Sequence, residues 1–246
     1  MVSSRWSVTL TEEDVDNLHR VAPAAGRNDD YPGLHAVHMA DGWVFATDSH
    51  RLHGIPDAPE TSGPLAIPLR ALANLPTDGP VTITVDEETV RWRVAGVDHQ
   101  HPRPKTLPVG PILEKPAPHR VTIPRARLLS AVRTVGGRPK SGHRDPMKVT
   151  LSSSGRTQHT EWYLHVSGET NEKVPVTVTS PQKWLPSLTF NQAYLADALA
   201  AIHDTCVTLS AFDPLQPVFI DGADNGGDGL LAIVMPCYLR NEGIAA

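Results

Sequence analysis

Residues 187–222 read SLTFNQAYLADALAAIHDTCVTLSAFDPLQPVFIDG, and residues 64–96 read PLAIPLRALANLPTDGPVTITVDEETVRWRVAG. Both stretches show the same order of elements: a short strand, a short helix, a turn and two further strands. The alternation of apolar and polar residues in VTITV and VRWRV is typical of half-buried antiparallel pairs. Because the same order occurs twice, the sequence predicts a duplicated chain.

The beginning of each half repeats as well. WSVTL reads as a strand and is followed by TEEDVDNLHRVAPAA, in which Thr11 is a plausible N-cap and apolar residues recur at helical spacing. In the second half HRVTI is followed by PRARLLSAVRTVGG, where Pro124 suits a first helical turn. The prediction is an α+β chain of two similar domains, with helices on one side of antiparallel sheets.

A proline-rich stretch separates the two halves. Residues 98–118 read DHQHPRPKTLPVGPILEKPAP and contain six prolines, so they cannot form a helix or a central strand. Prolines restrict the backbone, and the stretch is typical of a semi-rigid linker. We therefore predict domains at residues 1–113 and 114–246.

Composition excludes several classes of protein. The 246 residues are 40% hydrophobic, with a net charge of −5 and two cysteines. No long apolar run predicts a membrane span, and the N-terminus lacks the pattern of a signal peptide, so we expect a cytoplasmic protein without membrane contact. Two cysteines are too few for a disulfide framework or a four-thiolate zinc site.

Candidate catalytic and metal-binding residues do not form a recognisable site. Asp48, Ser49 and His50 are adjacent, whereas the members of a catalytic triad normally come from separate segments. The histidine pairs at 35 and 38 and at 99 and 101 lack further ligands at a typical spacing, so ordinary surface histidines are favoured. We expect no enzyme activity, no metal and no cofactor, with an unrelated enzyme or metal protein kept as an alternative.

Basic residues cluster early in the second half. Between His119 and Lys148 there are eight Lys and Arg residues against one acid, Asp145. One interpretation is a solvated helix face with a basic loop. The other is contact with phosphates, since several arginines on one element are typical of sequence-independent DNA binding.

Three short motifs resemble one protein family. VFATDSHRL at 44–52, FNQAYLADAL at 190–199 and LAIVMPCYL at 231–239 are similar to motifs of the bacterial DNA polymerase sliding clamp, the β subunit of the replicative polymerase. The first belongs to that family's middle domain and the other two to its last domain. The chain departs from the family by having room for two of the usual three domains, and locally at His53, Cys237 and Tyr238.

The resemblance implies a function and an assembly. It implies a ring-forming, non-enzymatic processivity factor that encircles double-stranded DNA and tethers the replicative polymerase. Further implied partners are a clamp loader and other proteins with clamp-binding motifs. Rings of this family contain six similar domains, so a chain of two would close as a homotrimer. The alternative is a non-encircling paralogue that binds clamp-interacting peptide motifs as a regulator.

The resemblance also implies two sites. One is a peptide-binding pocket between the two domains, where an adaptable methionine and apolar side chains would receive Leu or Phe anchors. Its predicted residues are Thr47, Ser49, His50, Arg51, Leu52, Pro68, Leu72, Leu215, Pro217, Val234, Met235 and Pro236. The other is a DNA-binding face, with the predicted residues Arg125, Arg127, Arg133, Arg138, Lys140 and Arg144.

Overall fold

The structure is a computed structural model that divides into two compact units, Met1–Lys115 and Pro116–Ala246. We call them the N-terminal unit and the C-terminal unit. The residues that it describes are 5–26, 31–109, 119–135, 148–155, 162–178, 187–213, 215–223 and 229–237.

The N-terminal unit alternates strands with two helices. In chain order its described elements are β1 Trp6–Leu10, α1 Glu12–Val21, β2 Ala36–Ala40, β3 Trp43–Thr47, β4 Arg51–Pro56, β5 Leu65–Pro68, α2 Leu69–Leu72, β6 Val81–Val85, β7 Thr89–Val94 and β8 Val97–Pro102. The strands form two antiparallel sheets, in the orders β1-β6-β7-β8 and β5-β2-β3-β4. In each sheet three consecutive strands are joined by hairpins, β6 to β8 in the first and β2 to β4 in the second. The fourth strand, β1 in the first sheet and β5 in the second, pairs with the first strand of that run.

Helix α1 begins where the sequence predicts it. Thr11 is the N-cap, and its hydroxyl accepts a hydrogen bond from the Asp14 backbone N–H while the Asp14 carboxylate accepts one from the Thr11 backbone N–H. This capping box satisfies two N–H groups that a helix end leaves without partners. Val15, Leu18 and Val21 are fully buried, and the helix packs against β3 and β4.

The C-terminal unit repeats the same order of elements. Its described elements are β9 His119–Pro124, α3 Arg125–Val135, β10 Lys148–Gly155, β11 Trp162–Ser167, β12 Asn171–Val178, β13 Leu188–Asn191, α4 Gln192–Ala201, β14 Cys206–Ala211, β15 Val218–Gly222 and β16 Leu231–Val234. The pairings give the orders β9-β14-β15-β16 and β13-β10-β11-β12, which correspond to those of the first unit, and here β12 also pairs with β9 and joins the two sets of strands. The predicted α+β fold with a duplicated domain is confirmed.

Helices α3 and α4 are connected by hydrogen bonds from a side chain at the N-terminal end of each helix. The Arg125 guanidinium donates to the backbone oxygens of Leu199 and Asp204 at the end of α4, at 3.2 and 2.8 Å. In return, the Gln192 side-chain amide donates to the Val132 carbonyl at the end of α3, at 3.0 Å. Because the last carbonyls of a helix have no partner within it, each helix satisfies the free end of the other. The two helices therefore pack as an antiparallel pair.

Two details of the sequence prediction need correction. Asp98–Pro102, which we predicted as the start of the linker, form part of β8, an edge strand that tolerates Pro102 at its end. Pro124 ends β9 rather than opening α3. In the described part of the chain, no helix is long and apolar enough to cross a membrane.

Candidate functional site

The motif at residues 47–52 forms the tight turn between β3 and β4. The Thr47 hydroxyl donates to the Arg51 carbonyl at 2.6 Å and accepts from the Ser49 N–H at 3.1 Å. The Asp48 carboxylate accepts from the backbone N–H groups of His50 and Arg51, both at 3.0 Å. Asn and Asp commonly close turns in this way, by bonding to the backbone that follows them.

Asp48 also stabilises this turn, although it is not one of the predicted pocket residues. Its second carboxylate oxygen lies 3.0 Å from the Nε of Arg51, and both side chains are largely buried. A charge-assisted bond of this kind fixes the arginine better than a neutral one. The sequence did contain a signal, since an aspartate directly after a strand and before Ser-His is typical of a turn. Hydrogen bonds among its own residues therefore stabilise the turn, and Ser49 and His50 are exposed to solvent.

Ser49 adopts a backbone conformation that favours glycine. Its φ is +75°, in the left-handed region. There a β-carbon costs about 1–2 kcal/mol, of which the extra chain entropy of glycine in the unfolded state cancels about half. We expect Ser49→Gly to raise the free energy of unfolding by about 0.5–1 kcal/mol, measured by urea denaturation.

The control for this prediction is Ser62→Gly, at an exposed position of the same unit that does not have a positive φ. That variant should be destabilised by about 0.5 kcal/mol. Equal effects of the two substitutions would contradict the strain at Ser49.

The other predicted pocket residues of the N-terminal unit are mostly buried. Leu52, Pro68 and Leu72 have little or no exposed surface, and Pro68 is paired with Ala36 at the end of β5. Leu52 pairs with Thr47 at the base of the turn. The structure thus brings together the five predicted pocket residues of the motif, whereas Pro68 and Leu72 lie on a different strand and helix.

The C-terminal unit carries the remaining predicted pocket residues. Leu215 is 56% exposed, Pro217, Met235 and Pro236 are half-buried, and Val234 is fully buried at the end of β16. The backbone N–H of Cys237 donates to the Thr189 carbonyl on β13 at 2.6 Å, which fixes the segment that follows β16. Met235 and Pro236 are therefore held between two anchored points. That the sets of both units form one pocket stays a prediction.

Helix α3 carries the described part of the predicted DNA-binding face. Its exposed residues are Ala126, Arg127, Ser130, Arg133 and Thr134. At 100° per residue they span an arc of about 120°, with Arg127 and Arg133 at its two borders and small side chains between them. A groove of about 400 Å³ runs beside this face and also contains Glu172 and Lys173. The small side chains between the two guanidinium groups leave room for phosphates to approach them.

The remaining predicted DNA contacts differ from these two. Arg125 is half-buried and donates to the carbonyls at the end of α4, so the structure gives it a role within the unit. Arg138, Lys140 and Arg144 lie outside the described residues. That any of the six predicted residues contacts DNA stays a prediction.

Some of the histidines that the sequence predicts at the surface lie in the interior. His38 is fully buried, with its Nε2 2.7 Å from the Gly33 carbonyl oxygen and its ring stacked on Phe45. His99 and His101 both stack on Trp92, with ring centroids 5.7 and 5.1 Å apart. Within the described ranges, no three His, Cys, Asp or Glu side chains lie close enough together to hold a metal ion.

Comparison with known proteins gives a match at the level of structure. Neither the models of protein families nor the curated proteins contain a match to the sequence. Among solved structures, the DNA polymerase III subunit beta of Pseudomonas aeruginosa aligns with a TM-score of 0.76 at 20% identity, over 95% of this chain and 66% of that one. The chain has the fold of the bacterial sliding clamps.

Two further structures agree with this one. A DnaN sliding clamp from Bartonella birtlesii, bound to griselimycin, aligns with a TM-score of 0.75 at 20% identity, over 95% of this chain and 66% of that one. The DNA polymerase sliding clamp of Bacillus subtilis aligns with a TM-score of 0.76 at 18% identity, over 96% and 65%. The chain therefore spans about two thirds of the length of the clamps that it matches.

Proposed function

We propose that this protein is a DNA sliding clamp: a non-enzymatic processivity factor that encircles duplex DNA and tethers a DNA polymerase. The observation that carries the proposal is the clamp fold, which extends over 95% of the chain. The motifs at residues 47–52, 190–195 and 234–236 support it, because similar motifs occur in the clamp family. No cofactor is required, since sliding needs neither bond making nor bond breaking.

In this proposal, the exposed face of α3 is a surface that contacts the DNA. Arg127 and Arg133 would contact phosphates without reading bases, which gives the weak, salt-sensitive and sequence-independent binding that sliding needs. A clamp loader would supply the energy for opening a closed ring. A homotrimer is the assembly that we propose, in line with the six domains of rings in this family.

One observation favours the second candidate, a non-encircling module that regulates clamp partners. Helix α1 exposes Glu12, Glu13 and Asp16, and acids on a helix that lines a DNA channel would repel phosphates. The two candidates differ in topology, because only a closed ring is trapped on DNA whose ends are blocked.

A topological experiment tests the proposal. The full chain is incubated with a linear duplex that carries biotin at both ends, streptavidin is added, and retention is measured at about 0.5 M salt, where phosphate contacts are weak. A clamp stays on the duplex whose ends are blocked by streptavidin and slides off the same duplex without streptavidin. For a homotrimer, light scattering gives about three times the 26.6 kDa of one chain. Equal loss from both duplexes, together with a monomeric mass, would favour the regulator.

The proposed peptide pocket gives a second prediction. Met235 is half-buried and accessible, so Met235→Asp would place a carboxylate against the apolar anchor of a bound peptide. Truncation of a central anchor contact costs about 2 kcal/mol or more, so we expect at least about thirtyfold weaker binding of a peptide with Leu and Phe anchors by calorimetry.

The matched control is Val97→Asp, which introduces the same charge at an apolar residue that is 57% exposed and outside the predicted pocket. Leu52→Asp is not a suitable variant, because Leu52 is buried and a carboxylate there would destabilise the fold. Unchanged peptide affinity in Met235→Asp would remove Met235 from the pocket.

A further inference from the structure

A second concave surface lies entirely within the N-terminal unit. It is a groove of about 530 Å³, which falls in the size range of small-molecule sites. Its lining residues come from the loop before β2, the junction of β5 and α2, and the end of β8 with the segment that follows it. They are Pro32, Gly33, His35, Pro68, Leu69, Arg70, Pro102, Arg103, Pro104 and Lys105. We call this surface the proline groove.

The proline groove is positively charged. Arg70, Arg103 and Lys105 line it, and no lining residue is an aspartate or a glutamate. On the loop that supports Arg103, the carboxylate of Asp86 is engaged by Arg91 at 3.1 Å and by the Thr89 hydroxyl at 2.9 Å. Three positive charges with no carboxylate among the lining residues attract an anion.

Several contacts fix the walls of the groove. The Arg103 guanidinium donates to the backbone carbonyls of Asp86 and Pro64, which fixes its position but leaves its charge. At Gly33 an added Cβ would lie 3.0 Å from the Lys105 carbonyl oxygen, so two segments of the chain touch there. Four prolines among the lining residues limit the backbone further. A preformed site loses little entropy when a ligand binds.

An exposed aromatic residue next to the groove indicates which kind of anionic ligand it binds. Tyr31, which directly precedes the lining residue Pro32, is 65% exposed. An exposed aromatic side chain beside a cationic groove is the combination that binds single strands, because bases stack on the ring while phosphates follow the charges. A duplex cannot unstack its bases onto a side chain, and an acidic peptide has no need of the ring.

We propose that the proline groove binds the backbone of single-stranded DNA, with phosphates on Arg70, Arg103 and Lys105 and a base stacked on Tyr31. This binding goes beyond the proposed clamp function and does not require a closed ring, although the groove shares Pro68 with the predicted peptide pocket. It would let the protein hold an unpaired strand next to a duplex.

The experiment measures the binding of the full chain to a fluorescent oligothymidylate by anisotropy at about 50 mM salt. Since one phosphate contact to a single strand contributes about 0.7 to the salt slope, Arg70→Glu should weaken binding about tenfold and lower the slope by about 0.7. Arg5→Glu, at an exposed arginine outside the groove, is the matched control and should change affinity less than twofold. Tyr31→Ala should weaken binding about fivefold or more, whereas Tyr31→Phe, which keeps the ring, should bind like the original chain.

Three results would overturn the proposal. One is no measurable binding of the oligothymidylate by the original chain, and another is the same affinity for Arg70→Glu and Arg5→Glu. The third is that an oligoglutamate peptide binds with the same dependence on Arg70 while Tyr31→Ala has no effect, which would assign the groove to acidic peptides. The blocked-duplex experiment uses no single strand, so failure of the clamp proposal and failure of this one are distinguishable.

Discussion

Lowering the pH from 7 to 4.5 should reduce the free energy of unfolding by about 5 kcal/mol through two buried histidines alone. His38 and His53 have no exposed surface. Burial lowers the pKa of His38 to about 4, opposed by its bond to the Gly33 carbonyl. Burial, with the positive charge of Arg51, lowers the pKa of His53 to about 3.

The sign follows from the protons that each state binds. Between pH 6.5 and about 4 the unfolded chain protonates both histidines, whereas the folded chain keeps them neutral. Stability therefore falls as the pH falls, by about 1.4 kcal/mol per pH unit for each histidine. Most of the loss occurs below pH 6.5, the ordinary pKa of histidine.

A single substitution isolates one of the two histidines. His53→Leu removes a buried titratable group, so the slope of unfolding free energy against pH should fall by about 1.4 kcal/mol per pH unit between pH 6 and 4.5. The measurement is urea denaturation at several pH values. Met39→Leu, at a buried residue of β2 that carries no titratable group, is the control and should leave the slope unchanged. An unchanged slope in His53→Leu would show that His53 is accessible to protons in the folded state.

These histidines mark the limit of what could be predicted from the sequence. Strand alternation, the Thr11 capping box and the apolar spacing of the helices are local features, and they predicted the duplicated order of elements in both halves. The burial of His38 depends instead on its pairing with Phe45 on β3, which no local pattern specifies. The pattern of histidines at 35 and 38 indicated a surface pair for that reason.

The candidate sites also differ in whether they are built from neighbours in sequence or from distant segments. The turn at residues 47–51 is built from neighbours in sequence, and its motif could be recognised directly. Arg125 looked like any other arginine of the basic cluster, but its donors reach carbonyls more than 70 residues away. The proline groove joins Pro32, Arg70 and Arg103 from three distant segments, the last of which lies in the predicted linker. Contacts between distant segments are set by tertiary packing, which a local pattern does not contain.

Arg127→Glu combined with Arg133→Glu should abolish most of the affinity for duplex DNA. Each phosphate contact contributes about 0.9 to the slope of log affinity against log salt, so at 0.1 M salt the loss of two contacts weakens binding about sixtyfold relative to a 1 M reference. The slope itself should fall by about 1.8. Both side chains are exposed on α3, so the fold should not change.

The control for this pair is Arg5→Glu with Arg93→Glu, which changes the net charge equally at two exposed arginines of the N-terminal unit. If the field of the whole protein attracted the DNA, both double variants would weaken binding to the same extent. If phosphates contact the borders of the α3 face, only the first pair lowers the salt slope. Equal slopes in the two double variants would therefore move the DNA contacts away from α3, because counterion release reports the number of phosphates that are neutralised rather than the net charge.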